Sequence, residues 1–450
     1  MARWRTLASL VAALVFTGAA GAQTYSLAEP PLPGTHFRVQ LSLSLNGQLK
    51  LQQDGKEVAL KETCTAMHDF LERILDAGAE GTAARSARVY KEAKVAITVA
   101  DDKLERTLRP ERTFLVAARG RDGVVAYSIK GPLTREEVDV TDHFDTLAVT
   151  GLLPAKEVAV GDTWKPGNAA AQALCHLQAL SDHTLTCKLD AVKDDVAVIS
   201  VHGTAAGIDY GASANIAVRA VARFDLKAKR LVALEWQQTD DREAGPVSPA
   251  SHVEVTTKLI RTPIEPASEL HDVVIAQVPD GPPGERADLD LKDTKGRYEL
   301  RHGRDWVLVG RTDEHTVLRL MDRGDFVAQA SIAPWKKAEP GKHLSADEVK
   351  AIVANSPGWA QDTLIKAEEV KLPTGQWAYL VAGEGDLDGV RAVQYFYLIA
   401  GPEGDQAMLT FTMTPAQTQK LGSRDLELVR GFLLPGARRE GEQAKVEAGN

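Results

Sequence analysis

Cysteine is scarce, at three in 450 residues, and none belongs to a C-x-x-C pair. Positive charge is not in excess: 53 Lys and Arg stand against 62 Asp and Glu, a formal charge of −9. That balance argues against a broad nucleic-acid footprint. Beyond the first two dozen residues no apolar run is long enough to span a bilayer. The short signatures of common enzymes are missing too: there is no G-x-S-x-G elbow, no H-E-x-x-H and no P-loop. Dispersed catalytic residues leave no such mark, so these absences point toward binding without closing the question of chemistry.

The N-terminus carries the clearest positive signal. MARWRTLASLVAALVFTGAAGAQ has Arg3 and Arg5, an apolar core from Leu7 to Phe16, and the small residues Ala20-Gly21-Ala22. This is the pattern of a signal peptide over residues 1–22, cleaved after Ala22, and it predicts export to the periplasm or exterior. The first cysteine is Cys64, so no lipoprotein anchor is expected. Losing two arginines makes the mature chain still more acidic.

Residues 23–261 alternate with period two between turn signals, which predicts an antiparallel β-rich domain, a curved sheet or partial barrel. FRVQLSLSLNGQLKLQQDGKEVALK reads as a meander with turns at Asn46-Gly47 and Asp54-Gly55, and TAMHDFLERILDA reads as a helix. In ANIAVRAVARFD the even positions Ile216, Val218, Ala220, Ala222 and Phe224 are apolar, and Val232, Leu234 and Trp236 continue the stripe. That hairpin has one oily face and one carrying Arg219, Arg223 and Glu235, as in a sheet covered on one side. The one long interval without strand character is 133–170.

Five prolines within RTPIEPASELHDVVIAQVPDGPPGER place a linker at 262–290. From 291 to 435 strands and helices mix. Ser345 and Glu348 form a capping box before ADEVKAIVAN, and Thr414-Pro415 opens a closing helical region. VQYFYLIA is apolar on both faces, as a central covered strand should be. Residues 436–450 read as a disordered tail. The run from YELRHGRDWVLVGRT through DFVAQASIAPW and KLPTGQWAYLVAGEGDLDGVRAVQYFYLIAG to MLTFTMT resembles the Mog1/PsbP-like family, over about a third of the chain. The resemblance implies an α/β/α sandwich, a non-enzymatic module that docks on other proteins, with no catalytic residues to carry over. The first domain resembles, in topology, periplasmic lipoprotein-carrier-like β-cups, which implies a place for lipid or acyl chains. The fold class expected for the whole chain is α+β.

The sharpest local chemistry is CHLQALSDHTLTC. With a three-residue loop, Leu180-Ser181-Asp182, a hairpin sets Cys175 opposite Cys187 on its buried face, and in an oxidising compartment the pair forms a disulfide. Zinc is a second reading, but His176 falls on the other face and leaves Cys175, Cys187 and His183 as ligands; two reduced core thiols are a third. Cys64 and His68 would share a helix face, as a thiolate–histidine pair or as an inert buried thiol. Glu136, Glu137, Asp139, Asp142, His143 and Asp145 form an acidic cluster, of which Asp142, His143 and Asp145 suit a divalent ion if a loop folds them together; a solvated capped helix is the simpler reading. Asp288, Asp290 and Asp293 match a calcium loop poorly, because Lys292 stands at a ligand position. Gly383 to Gly389 reads as a hairpin loop. Trp377, Tyr379, Tyr395, Tyr397 and Phe411 all fall on odd positions and read as a core layer under a helix. No catalytic, metal or cofactor site is assigned.

The expectation is an exported, non-catalytic binding protein whose C-terminal domain docks on an envelope or secreted protein. A carrier of a lipid or other apolar ligand in the N-terminal domain is the alternative, and a hydrolase with dispersed residues the third. No nucleic acid and no membrane span after signal cleavage are expected. The oily stripes should be spent on two packed bodies, leaving no assembled reactive centre.

Overall fold

The computed structural model describes residues 23–439 apart from 54, 80, 121 and 122. The signal-peptide reading over 1–22 and the end of the predicted tail lie outside the described residues. Thirteen described strands form one antiparallel sheet. In chain order they are β1 (His36–Gln53), β2 (Lys56–Ala77), β3 (Ala83–Val99), β4 (Asp102–Thr107), β5 (Phe114–Arg119), β6 (Val124–Tyr127) and β7 (Thr163–Trp164). There follow β8 (Ala179–His183), β9 (Thr186–Lys193), β10 (Val196–Asp209), β11 (Ala212–Asp225), β12 (Arg230–Arg242) and β13 (Ala250–Pro263). The spatial order is β6-β5-β3-β2-β1-β13-β12-β11-β10-β9-β7, with β4 on β3 and β8 on β10.

Alternation makes this sheet one-sided. In β11 every second residue from Ala212 to Phe224 is buried and the intervening ones are exposed. A bulge between Arg223 and Phe224 sets Leu231 opposite Phe224, so Leu231 is fully buried and Val232, expected inside, is displaced. The chain itself fills the concave face. The interval after β6 folds as α1 (Arg135–Thr141), a 3₁₀ turn at Val149–Leu152 and α2 (Asn168–Leu174). Val138, Val140, Leu147, Val149, Leu152 and Leu174 join Phe37, Phe70, Ile216, Phe224 and Trp236 in one core. Each such side chain is worth roughly 1.5–3 kcal/mol of burial. Two buried ion pairs tie elements to this core. Arg88 meets Glu72 at 3.0 Å, with Ser86 and Thr146 as further partners. Arg261 meets Glu29 at 3.0 Å, and the Leu231 amide donates to the same carboxylate at 2.6 Å.

Several expectations are corrected. TAMHDFLERILDA lies in β2, not in a helix. Its even residues face the core while Leu71 and Leu75 face outward under the segment 270–278, so both faces are apolar and the sequence mimics a helical pattern. Asn46-Gly47 is no turn: β1 runs through it, pairing Gly47 with both Glu62 and Val253. A Cβ on Gly47 would stand 2.7 Å from the Val253 Cα, so the glycine serves a close approach of β13. The proline-rich linker is a strap: Leu270, Val274, Ile275 and Val278 cover the outer face of β2, β3 and β5. Arg73 donates to the Leu270 carbonyl at 2.8 Å, and Arg85 to that of Pro279 at 2.8 Å.

The α/β/α sandwich expected for the C-terminal part is overturned. The described residues are 54% strand and 13% helix. The second unit comprises β14 (Leu289–Lys292), β15 (Glu299–His302), β16 (Trp306–Arg311), β17 (Thr316–Asp322), β18 (Asp325–Trp335), β19 (Trp359–Glu369), β20 (Trp377–Leu387), β21 (Val390–Ala400), β22 (Gln406–Met413) and β23 (Phe432–Leu433). Seven of these form an antiparallel sheet in the order β16-β17-β18-β22-β21-β20-β19, and β14-β15-β23 form a small second sheet. Helices are too short to make layers. α3 (Ala346–Ala354) seats Val349 and Val353 on one face of the large sheet. The other face is covered by the small sheet together with α4 (Arg424–Arg430). β21 is buried on both sides, between these two cores. The five aromatics do not form one layer. Tyr395 and Tyr397 oppose Ala382 and Leu380, so they share a face with even residues of β20, and Trp377 and Tyr379 point the other way. Gly383 and Gly385 belong to β20 rather than a loop, and the turn is confined to Asp388-Gly389.

Candidate functional site

The two units meet around a chamber of about 970 Å³. Within the cup, by contrast, a hollow beside Glu29, Phe37 and Leu147 measures about 20 Å³, room for a single water. A dent on the outer face beside Ser42, Met67 and Lys94 reaches about 480 Å³. Both ends of the large sheet contribute to the chamber: Gly120 and Gly123 to Val125 from one, Ala179, Leu180, Ile208 and Tyr210 from the other. The sheet therefore curls far enough to bring its edge regions to opposite walls. α1 and Asp142 lie between them, and Arg304, Asp305, Val307, Met321 and Arg424 close it from the second unit.

Each charged lining residue has a local cause for its position. Thr134 caps α1, its hydroxyl accepting from the Glu137 amide while the Glu137 carboxylate accepts from the Thr134 amide. Arg109 forks onto Glu137 at 2.7 and 2.6 Å. Arg135, on the first turn, meets Asp139 at 2.8 Å, and Asp139 also meets Arg106 at 2.5 Å. At the end of α2, His176 takes the left-handed conformation (φ 54°) usual for a residue that ends a helix. This swings its ring to 3.6 Å from Asp142. Burial lowers the His176 pKa and Asp142 raises it, with a net rise; burial raises that of Asp142 and His176 lowers it, with a net fall. Each partner therefore favours the charged form of the other. The two side chains keep 43% and 46% of their surface, and of the two Asp142 lines the chamber.

Arg304 spans the junction. Its Nε donates to the Ala287 carbonyl at 2.8 Å, and an Nη donates to the carbonyl of Ala126 on β6. Burial lowers its pKa from the usual arginine value, against the pull of Asp142. Among the described residues no carboxylate lies within ion-pair distance of it, whereas Arg424 has Asp322 at 3.5 Å and Asp305 at 3.7 Å. Of the described arginines lining the chamber, Arg304 alone lacks such a partner. The units also touch where Gly211 approaches Gly324, and where Arg319 donates to the Pro246 carbonyl.

The residues singled out in the sequence fare differently. Cys175 ends α2 instead of lying in a strand, and Cys187 opposes Val201 and Trp164. The hairpin that would have paired the two does not form: helix capping takes 168–176. All three cysteines are free and buried, with burial pushing Cys175 and Cys187 up to about 12 and Cys64 to about 11. Cys64 and His68 sit four residues apart on a strand, too far for a dyad. The acidic cluster disperses: Glu137 and Asp139 serve arginines, Asp145 meets Arg119 at 2.9 Å, and Asp142 alone reaches the chamber. Asp290 and Asp293 pair with Arg301 and Arg297 at 2.9 and 2.8 Å. Among the described residues no group of three or more His, Cys, Asp or Glu is placed to hold a metal. Sequence reasoning missed Arg135, Tyr210 and Arg304. They are 75 to 169 positions apart, and no local pattern joins residues brought together by a sheet closing on a second unit.

No family model matches the chain, and no curated protein matches it. Among solved structures, it is similar to the cyanobacterial PsbP protein of Synechocystis sp. PCC 6803 at 16% identity, covering 33% of this chain and 92% of that one, with TM-score 0.26. A Pseudomonas aeruginosa protein of unknown function, described as a putative regulator, gives 18% identity over 33% of this chain and 96% of that one, at TM-score 0.23. Lipovitellin, in a structure concerning its lipid–protein interactions, gives 9% identity over 53% of this chain and 26% of that one, at TM-score 0.29. Likenesses this distant carry no argument about function. Among the described residues no helix is long and apolar enough to cross a membrane.

Proposed function

We propose that this is an exported, non-catalytic binding protein that takes a small ligand into the chamber between its two units. What supports the reading is the volume at that junction, about 970 Å³, within the range of small-molecule sites and lined by both apolar and polar groups. The apolar-carrier alternative needs an open cup, and α1, α2 and the turn between them occupy the cup. Ionisable side chains do converge on the chamber, against the expectation from sequence. Asp142 is already committed to His176, and among the described residues no serine or cysteine lines the space as a nucleophile.

Native mass spectrometry of the full chain, before and after solvent extraction, combined with a thermal-shift screen of small metabolites, tests the proposal. Ligand uptake should be lost in Ile208→Trp, which fills the chamber from its wall. Uptake unaffected by that substitution would move the site elsewhere. Turnover of a hydrolase panel that disappears in His176→Ala would overturn the non-catalytic part.

A further inference from the structure

We infer that the chamber's ligand is an amphiphile with one anionic head group, received by Arg304; this rests on the chamber being the binding site. The other lining charges are largely answered within the protein. Arg135 has Asp139 at 2.8 Å, Asp142 has His176 at 3.6 Å, and Arg424 has Asp322 at 3.5 Å. Among the described residues Arg304 has no carboxylate within ion-pair distance, and it spends two of its five donors on the carbonyls of Ala287 and Ala126. Both hydrogens on its remaining Nη and one on the bonded Nη stay available, the end-on pair that a carboxylate or sulfonate accepts bidentately. Val124, Val125, Leu180, Ile208, Val307 and Met321 supply apolar wall in the same space. A neutral ligand would leave the guanidinium unanswered, and a cationic one would be repelled by it. A small inorganic anion would leave those walls wet. The combination selects an apolar body carrying a single negative charge.

The test is isothermal titration of the full chain with decanoate, decanol and decyltrimethylammonium at matched ionic strength. Decanoate should bind one per chain, roughly ten- to a hundred-fold tighter than decanol, the range expected for one charge-assisted contact. The ammonium should bind weakest. Arg304→Gln should erase the preference for decanoate over decanol while leaving decanol binding within about threefold. Lys227→Gln removes an 80%-exposed charge that does not line the chamber and should change neither value by more than about threefold. Should Arg304→Gln disturb folding, as judged by circular dichroism, the wild-type ratio still decides. Equal binding of decanoate and decanol to wild type, or a preference that survives Arg304→Gln in a folded protein, would overturn the anionic assignment and leave the binding site intact. If none of the three binds while a screened polar metabolite does, the amphiphile is wrong; if nothing enters the chamber, the binding reading itself falls.

Discussion

His68 is 5% exposed, with its Nε2 2.7 Å from the Val140 carbonyl and its ring 5.4 Å from that of His143. Burial and the neighbouring His143 hold its pKa down to about 3. A histidine with a depressed folded pKa stays neutral while the unfolded chain takes up a proton, so stability is lost as pH falls from about 6.5 toward 3. Between pH 7 and pH 5 this one group should cost about 2 kcal/mol. Denaturant midpoints at the two pH values, compared with His68→Gln, measure it: the variant should lose that part of the slope. The thiols give a second residue-scale prediction. With all three buried and their pKa values raised, native protein should react with none of them rapidly. Unfolding without reductant should release three thiols. A count of one would instead restore the Cys175–Cys187 bridge expected from the sequence.

Among the elements, β1 and the strap are the informative cases. Gly→Ala usually stabilises slightly through the unfolded chain. At Gly47 the added Cβ meets the backbone of His252 and Val253, so Gly47→Ala should destabilise by about 2 kcal/mol in urea unfolding. Leu270→Ala, in the strap, should cost about 3 kcal/mol and expose 264–287 to proteolysis. Both elements show where sequence is legible. The alternation in β11 and β12 could be read directly because one face is wet, and Ile216, Phe224, Leu234 and Trp236 are all buried. β2 could not: the strap makes its outer face oily, and nothing local announces that the strap will lie there. Gly47 followed an asparagine, the commonest hairpin signal, yet its role is set by β13 more than two hundred residues away. The capped helices α1 and α3 carried their signature in sequence, whereas their brevity, which removes the sandwich, is a matter of packing.

For the whole molecule, two antiparallel sheets enclose a volume that neither unit contains alone. The first sheet spends its concave face on its own chain, and the space left over lies where its two ends approach the second unit. Of this junction only Asp142 was among the sequence candidates, because the contacts across it, such as Arg304 with the Ala126 carbonyl, join residues far apart in the chain. The central claim is where a ligand goes. A crystal of the full chain soaked with 10-bromodecanoate locates it through the anomalous signal of bromine. The account predicts bromine among Val125, Ile208 and Met321 with the carboxylate on Arg304; density inside the cup beside Trp236, or on the outer face beside Met67, would contradict it.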